Sequence, residues 1–515
     1  MRRKLLHFSA EDRKPMLSGK TPPLPLRLST KDWALMLSLT LIYAAVTFIG
    51  LGSFKAPQTT YTTTGQNETI IFDLGESHTF HILYYGGINW QDHTISISQS
   101  GGGKQWIPTR DIQLLTGDCF QWKYVLGMQV DDKGNPVAPS SDPLVMKGRF
   151  VRLQMDGPSL NMMEIVFRDV NGQTLPVTSA VATGGEDGSA NNPRLLTDES
   201  DTAPDAPGYY NSMYFDEVYH GRTGYEHLHG LNTFEWTHPP LGKVFIMLAI
   251  KLFGMTPFGW RFAGALAGVL MVPAMYLMGK LLFQKKRYAF LSAYVLAFDM
   301  MHLAQTRIAT IDSFAVLFIM LSYICMFRYM QMSFFRDGFK TLFSLGLSGL
   351  FMGLACASKW IGMYAGLGLA VMFLWSMASR FLDYKAGCIL GGEHKEQVSA
   401  YPKYVFGTLA SCIVFFIAVP FAIYYFSYIP QFAWEGGLTF ERFVRVQESM
   451  YSYHANLTDT HDYQSPFYEW PLMLRPMWYY KELMCRKAWY PPSWAWAIPL
   501  SGGPAHHHLY MCLSA

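Results

Sequence analysis

Asp216 and Glu217 stand side by side in NSMYFDEVYHGRTGYEHLHGLNTFEWTHPPLGK, residues 211–243, among His220, His227, His229 and His238 and the cations Arg222 and Lys243. Neighbours on a helix lie about 100° apart, so the two acids cannot share one task, whereas Asp216 and His220 fall on one face at i and i+4. The pattern suits a general base with a supporting shell, one acid taking a proton from a hydroxyl while the other holds the segment. A divalent metal is the competing reading, because histidines and carboxylates together ligate transition metals. The spacing matches no closed zinc set and lacks the helical His-Glu-x-x-His pair, which favours a metal-free site. His238 precedes Pro239-Pro240, whose rigid backbone fixes its ring to orient a carboxylate or a substrate hydroxyl. The plain alternative for Asp-Glu is a solvated acidic pair at a membrane surface.

A second set of charges sits at the ends of apolar segments. Arg261 opens WRFAGALAG, Arg307 and Asp312 bracket the polar part of AQTRIATIDSF, and Lys359 lies in ASKWIG. Ionisable groups at membrane depth are costly and point to function by default, although any single Lys or Arg also serves as a headgroup anchor. Three cations on the side expected for the acid pair suit the binding of a phosphate.

The elements that must position these residues are mostly apolar. Of 515 residues 50% are hydrophobic and only 15% charged, the excess of a membrane protein, while a mean hydropathy of +0.10 requires a sizeable polar part as well. A net charge of +3 without a basic block excludes nucleic acid as a partner, and seven scattered cysteines argue against a disulfide framework or zinc knuckle. Residues 1–32 read as a basic cytoplasmic tail and 33–53 as an uncleaved first span. Residues 54–182 alternate at period two, as in TISIS (94–98) and FVRLQM (150–155), and carry a hairpin signal at Asn171-Gly172. A linker and outer loop cover 183–259.

Six further spans are expected within 260–428, at about 260–283, 288–304, 309–330, 341–357, 360–380 and 402–427. Loops at 284–287, 328–340 and 380–403 hold the Lys and Arg clusters, so the positive-inside rule places them in the cytoplasm and the β-domain and acid pair outside. Residues 429–480 form another outer loop, and 481–515 show neither a span nor a periodicity. The fold class is therefore a polytopic α-helical membrane protein with an inserted extracytoplasmic all-β domain.

In sequence order, YFDEVYHGR, FEWTHPPLGK, WRFAGALAG, AQTRIATIDSF, ASKWIG and YQSPFYEWPLMLRPMWYY resemble the dolichyl-phosphate-mannose protein O-mannosyltransferase family, in the glycosyltransferase C superfamily. The resemblance covers about 209–480 and the first span. GRFVRLQMDGPSLNMMEIVFRDVNGQTL looks like the end of a discoidin-type jelly roll inserted in the first outer loop, and the domain lacks the trefoil repeats found in eukaryotic relatives. Relatives continue past the WPL…RP…WYY motif into more spans, so 481–515 is expected to be a truncated or frameshifted tail.

The resemblance implies a multi-pass plasma-membrane enzyme taking a polyprenyl-phosphate-mannose donor and a Ser or Thr of a secreted polypeptide, among membrane lipids and beside the protein export machinery. It implies inverting transfer with no cofactor and no metal. Asp216 would be the base and Glu217 its orienting neighbour, with His220, His238, Arg261, Arg307, Asp312 and Lys359 binding substrate. Transfer to a lipid or cell-wall glycan, or a non-catalytic membrane-anchored carbohydrate-binding role, are the alternatives.

Overall fold

The computed structural model describes residues 28–130, 136–185, 191–458 and 464–472, with single positions 10, 460, 474 and 479. The tail before residue 28, most of the WPL…RP…WYY motif and all of 481–515 lie outside the described residues. The chain divides into two compact units. One holds the described residues up to Phe48 with Thr223–Lys251 and Arg261–Thr458, and the other holds Ile49–Arg222 and Leu252–Trp260.

The first unit is helical, as its apolar runs require. Among the described residues, six helices are long and apolar enough to cross a membrane: Thr30–Phe48, Pro257–Phe283, Asp312–Met330, Phe334–Ser358, Ile361–Leu390 and Val398–Ser427. At about 1.5 Å per residue each matches or exceeds a hydrocarbon core of about 30 Å, within the usual scatter. The protein is thus a multi-pass membrane protein with a β-sheet region. The segment expected as a span at 288–304 differs, forming two shorter helices, Lys286–Ala297 and Met300–Thr306. The cause is Asp299, whose side chain accepts the Met301 N–H and caps the second helix.

In the first span Met36, Leu39 and Tyr43, spaced at helical intervals, pack with Val269, Val272 and Tyr276 of the second. Asp32, buried at the start of the first span, accepts hydrogen bonds from Tyr276 Oη and Lys280 Nζ, both at 2.9 Å. Burial of that charge is tolerable because a cation and two hydroxyl donors, Tyr276 and Ser29, compensate it.

The second unit is built on an antiparallel sheet whose main path runs β1 (Tyr61–Thr62), β9 (Asn161–Asp169), β2 (Thr69–Gly86), β8 (Met146–Met155), β3 (His93–Ser100), β4 (Ile107–Leu114). Strands β5 (Trp122–Tyr124) and β10 (Ser179–Thr183) also pair with β2, and β6 (Leu126–Val130) pairs with β7 (Pro136–Pro143). The period-two pattern works as expected: Ile95 and Ile97, Val151 and Leu153, and Ile70 and Phe72 all enter one core. Asn171-Gly172 makes the predicted turn, with Asp169 Oδ1 accepting the N–H groups of Asn171 and Gln173. Its second arm is short, a single bridge from Arg168 to Thr174.

Candidate functional site

The acid pair belongs to the unit that carries the sheet. The helix Glu217–His229 starts directly after Asp216, whose carbonyl accepts the N–H groups of Tyr219 at 3.1 Å and His220 at 3.0 Å. Negative charge is favoured here by the helix dipole. Phe215, just before it, has φ of 51°, a left-handed conformation that costs a residue with a side chain about 1–3 kcal/mol. Its ring meets that of Tyr479, from the downstream WYY, at 5.1 Å. Beyond this turn the two acids separate: Glu217 is fully buried and Asp216 only half-buried.

Glu217 accepts hydrogen bonds from an indole and a backbone amide. Its Oε2 accepts the Trp260 indole N–H at 3.2 Å and the Tyr214 amide at 3.4 Å. Gly221 lets Trp260 and Met213 close on this helix, since a Cβ there would lie 2.7 Å from Met213 Cε and 3.7 Å from the Trp260 side chain. His220 is buried on the same helix. Arg222 is fully buried, donating to the carbonyls of Thr116 at 2.7 Å and Asn89 at 3.1 Å and stacking on Trp90. These contacts fasten the start of the helix to the β-domain.

In the helical unit, Glu235 and Lys243 form a buried ion pair. Lys243 Nζ also donates to the carbonyls of Glu235 at 2.7 Å and His238 at 2.9 Å, which ties down the Thr-His-Pro-Pro turn. Glu235 Oε1 accepts the Thr237 N–H at 2.8 Å and stands 3.1 Å from His238 Nδ1. The carboxylate therefore orients the His238 ring, which remains 28% exposed. His454 packs against it, with its Nε2 2.9 Å from the Thr237 carbonyl. His227 is buried, and neither ring nitrogen finds a hydrogen-bond partner among the described residues. Burial, with the nearby Lys243 charge, pushes its pKa down to about 3.

The predicted cations are in the same unit as His238. Lys359 Nζ is 2.7 Å from Asp312 Oδ1, and both side chains are about one-third exposed. Arg307 is half-buried and donates to the Val46 carbonyl at 3.1 Å. Arg261 is almost fully buried near the start of Pro257–Phe283. It shares a helix face with Gly264 and Gly268. A Cβ at Gly268 would collide with Thr306 at 2.6 Å, so this face lies against the segment leading into Arg307. A cavity of about 210 Å³ opens between 232–236 and 431–449, lined by Trp236, Trp434, Asn232, Gln431, Glu435 and Arg445.

The structure thus brings together Asp312 with Lys359 and His238 with Glu235, and sets Asp216 immediately before the helix that carries His220. Sequence reasoning missed Trp260 as the partner of Glu217 and the Trp236–Trp434 cavity. The only sequence sign of either was an abundance of aromatic residues.

Residues 255–434 match the family described as dolichyl-phosphate-mannose-protein mannosyltransferase. A polyprenol-phosphate-mannose–protein mannosyltransferase of Mycolicibacterium smegmatis is 27% identical over 281 residues, covering 47% of this chain and 52% of the relative. The Mycobacterium tuberculosis protein of the same name is 24% identical over 284 residues, with the same coverage. The chain spans about half the length of these curated relatives. A solved Saccharomyces cerevisiae protein O-mannosyltransferase complex bound to the sugar donor aligns with a TM-score of 0.36 and 23% identity, over 43% of this chain and 30% of that one.

Proposed function

We propose, on the match of residues 255–434 to the dolichyl-phosphate-mannose-protein mannosyltransferase family, that the chain transfers mannose from a polyprenyl-phosphate-mannose donor to Ser or Thr hydroxyls of a secreted polypeptide. The family match carries this reading, and the printed names of the mycobacterial relatives support both donor and acceptor class. The Lys- and Arg-rich loops support chemistry on the outer face of the plasma membrane, among its lipids and beside the export machinery that delivers the acceptor.

The acceptor oxygen attacks the mannose anomeric carbon as the bond to the phosphate oxygen breaks, in one inverting displacement. The hydroxyl proton goes to the Asp216 carboxylate, and the polyprenyl phosphate leaves with the bonding pair. A sugar phosphate already has a good leaving group, so one base suffices where a glycosidase needs an acid as well. Arg261, Arg307 and Lys359 stabilise the departing phosphate, with Asp312 holding Lys359. Glu217 and His220 set the Asp216 segment, and His238 orients the acceptor. The scheme requires no metal or other cofactor. The Trp236–Trp434 cavity offers aromatic faces and amides suited to a sugar or peptide side chain. The discoidin-like β-domain serves as a carbohydrate contact or spacer.

Membranes holding the chain, supplied with polyprenyl-phosphate mannose and a Ser/Thr-rich peptide, are expected to yield peptide heavier by one hexose. Mannose recovered only in lipid or glycan, or no transfer at all, would contradict the proposal.

A further inference from the structure

Glu164 lies on strand β9 and is fully buried, yet its Oε1 has no hydrogen-bond partner among the described residues. Its Oε2 accepts the Glu199 N–H at 3.1 Å. One carboxylate oxygen from each of Glu164, Asp198 and Glu199 lies within 4.8 Å of the others. The cation Lys55 engages Asp201 instead, in a pair whose side chains are mostly exposed. A buried carboxylate surrounded by other carboxylates is costly unless a positive charge joins it.

We infer that Glu164, Asp198 and Glu199 form a binding site for a hard divalent cation, calcium foremost. The donors are all oxygen, which selects against the softer metals that favour thiolate or imidazole. A calcium ion about 2.4 Å from each ligand spans oxygens up to about 4.8 Å apart, and the three carboxylate oxygens lie within that distance of one another. Asp198 is exposed, so water can complete the irregular six- to eight-fold shell that calcium accepts, whereas magnesium demands a tighter octahedron.

Glu199 Oε2 also accepts the N–H groups of Gln58 at 2.7 Å and Thr59 at 2.8 Å, and Thr59 Oγ1 reaches Asp198 Oδ1 at 3.0 Å. A bound ion therefore joins β9, the extended segment that leads into β1 and the linker that follows the β-domain. This role is independent of mannose transfer.

The full chain, purified in detergent and stripped with EDTA, tests it through the unfolding midpoint during a calcium titration, with magnesium for comparison. The wild-type midpoint is expected to climb with the logarithm of free calcium above its Kd. Glu164→Gln and Asp198→Asn are expected to lose about tenfold or more in apparent affinity. Asp198 is exposed, so its variant remains informative if Glu164→Gln fails to fold. A wild-type midpoint indifferent to calcium, or one that responds equally in the variants, overturns the inference.

Discussion

Glu217 and Glu235 are both buried carboxylates of the polar stretch ahead of the main run of spans, yet different chemistry holds them. Glu235 meets a buried ammonium, a threonine and a histidine; Glu217 is met by the indole N–H of Trp260 and the amide N–H of Tyr214. A cation neutralises the charge it binds, which makes Glu235 a structural clamp for the His-Pro-Pro turn. The indole and amide N–H groups instead fix the Glu217 side chain at the helix start, where the dipole favours an acid.

The contrast makes ranked predictions. Lys243→Met strands the Glu235 carboxylate and is expected to cost about 3–5 kcal/mol, read as lower membrane abundance and a lower unfolding midpoint. Lys243→Met combined with Glu235→Gln is expected to recover most of that loss. Trp260→Phe removes one neutral donor and is expected to cost about 1–3 kcal/mol. If it proved as damaging as Lys243→Met, the distinction between the two glutamates would collapse.

His227 sharpens the comparison through pH. Its folded pKa of about 3 lies below the ordinary 6.5, so the unfolded chain takes up the proton first. Its contribution to stability is complete above about pH 6.5 and declines as pH falls toward 3, by at most about 1.4 kcal/mol per pH unit. Melting curves from pH 7 to 5 are expected to shift less in His227→Leu than in wild type. An equal shift would place the acid sensitivity elsewhere. The smallest stability effect belongs to Lys359→Ala, about 0–1 kcal/mol for a pair one-third exposed. The same variant is expected to raise the KM for the donor; an unchanged KM would remove Lys359 from the phosphate contacts.

Much of this was legible before the structure. Period-two alternation marked the β-strands, and apolar length marked six of the seven expected spans as long apolar helices. What escaped was nonlocal. Trp260 reaches Glu217 across 43 positions and Lys359 reaches Asp312 across 47, distances at which no periodicity operates. The break at Asp299 was visible as a capping residue but outweighed by the hydropathy around it. Arg307 offered its charge to the eye, while its bond to the Val46 carbonyl depends on how the first helix packs.

The proposed role of Asp216 as the base of mannose transfer is tested most directly by comparing wild type, Asp216→Asn and Glu217→Gln for transfer from polyprenyl-phosphate mannose to a Ser/Thr peptide, at matched membrane abundance. Loss of a general base is expected to lower kcat about 10²- to 10⁴-fold in Asp216→Asn with little change in donor KM. Glu217→Gln, which keeps an acceptor for Trp260, is expected to retain far more activity. Equal transfer by wild type and Asp216→Asn would contradict the account.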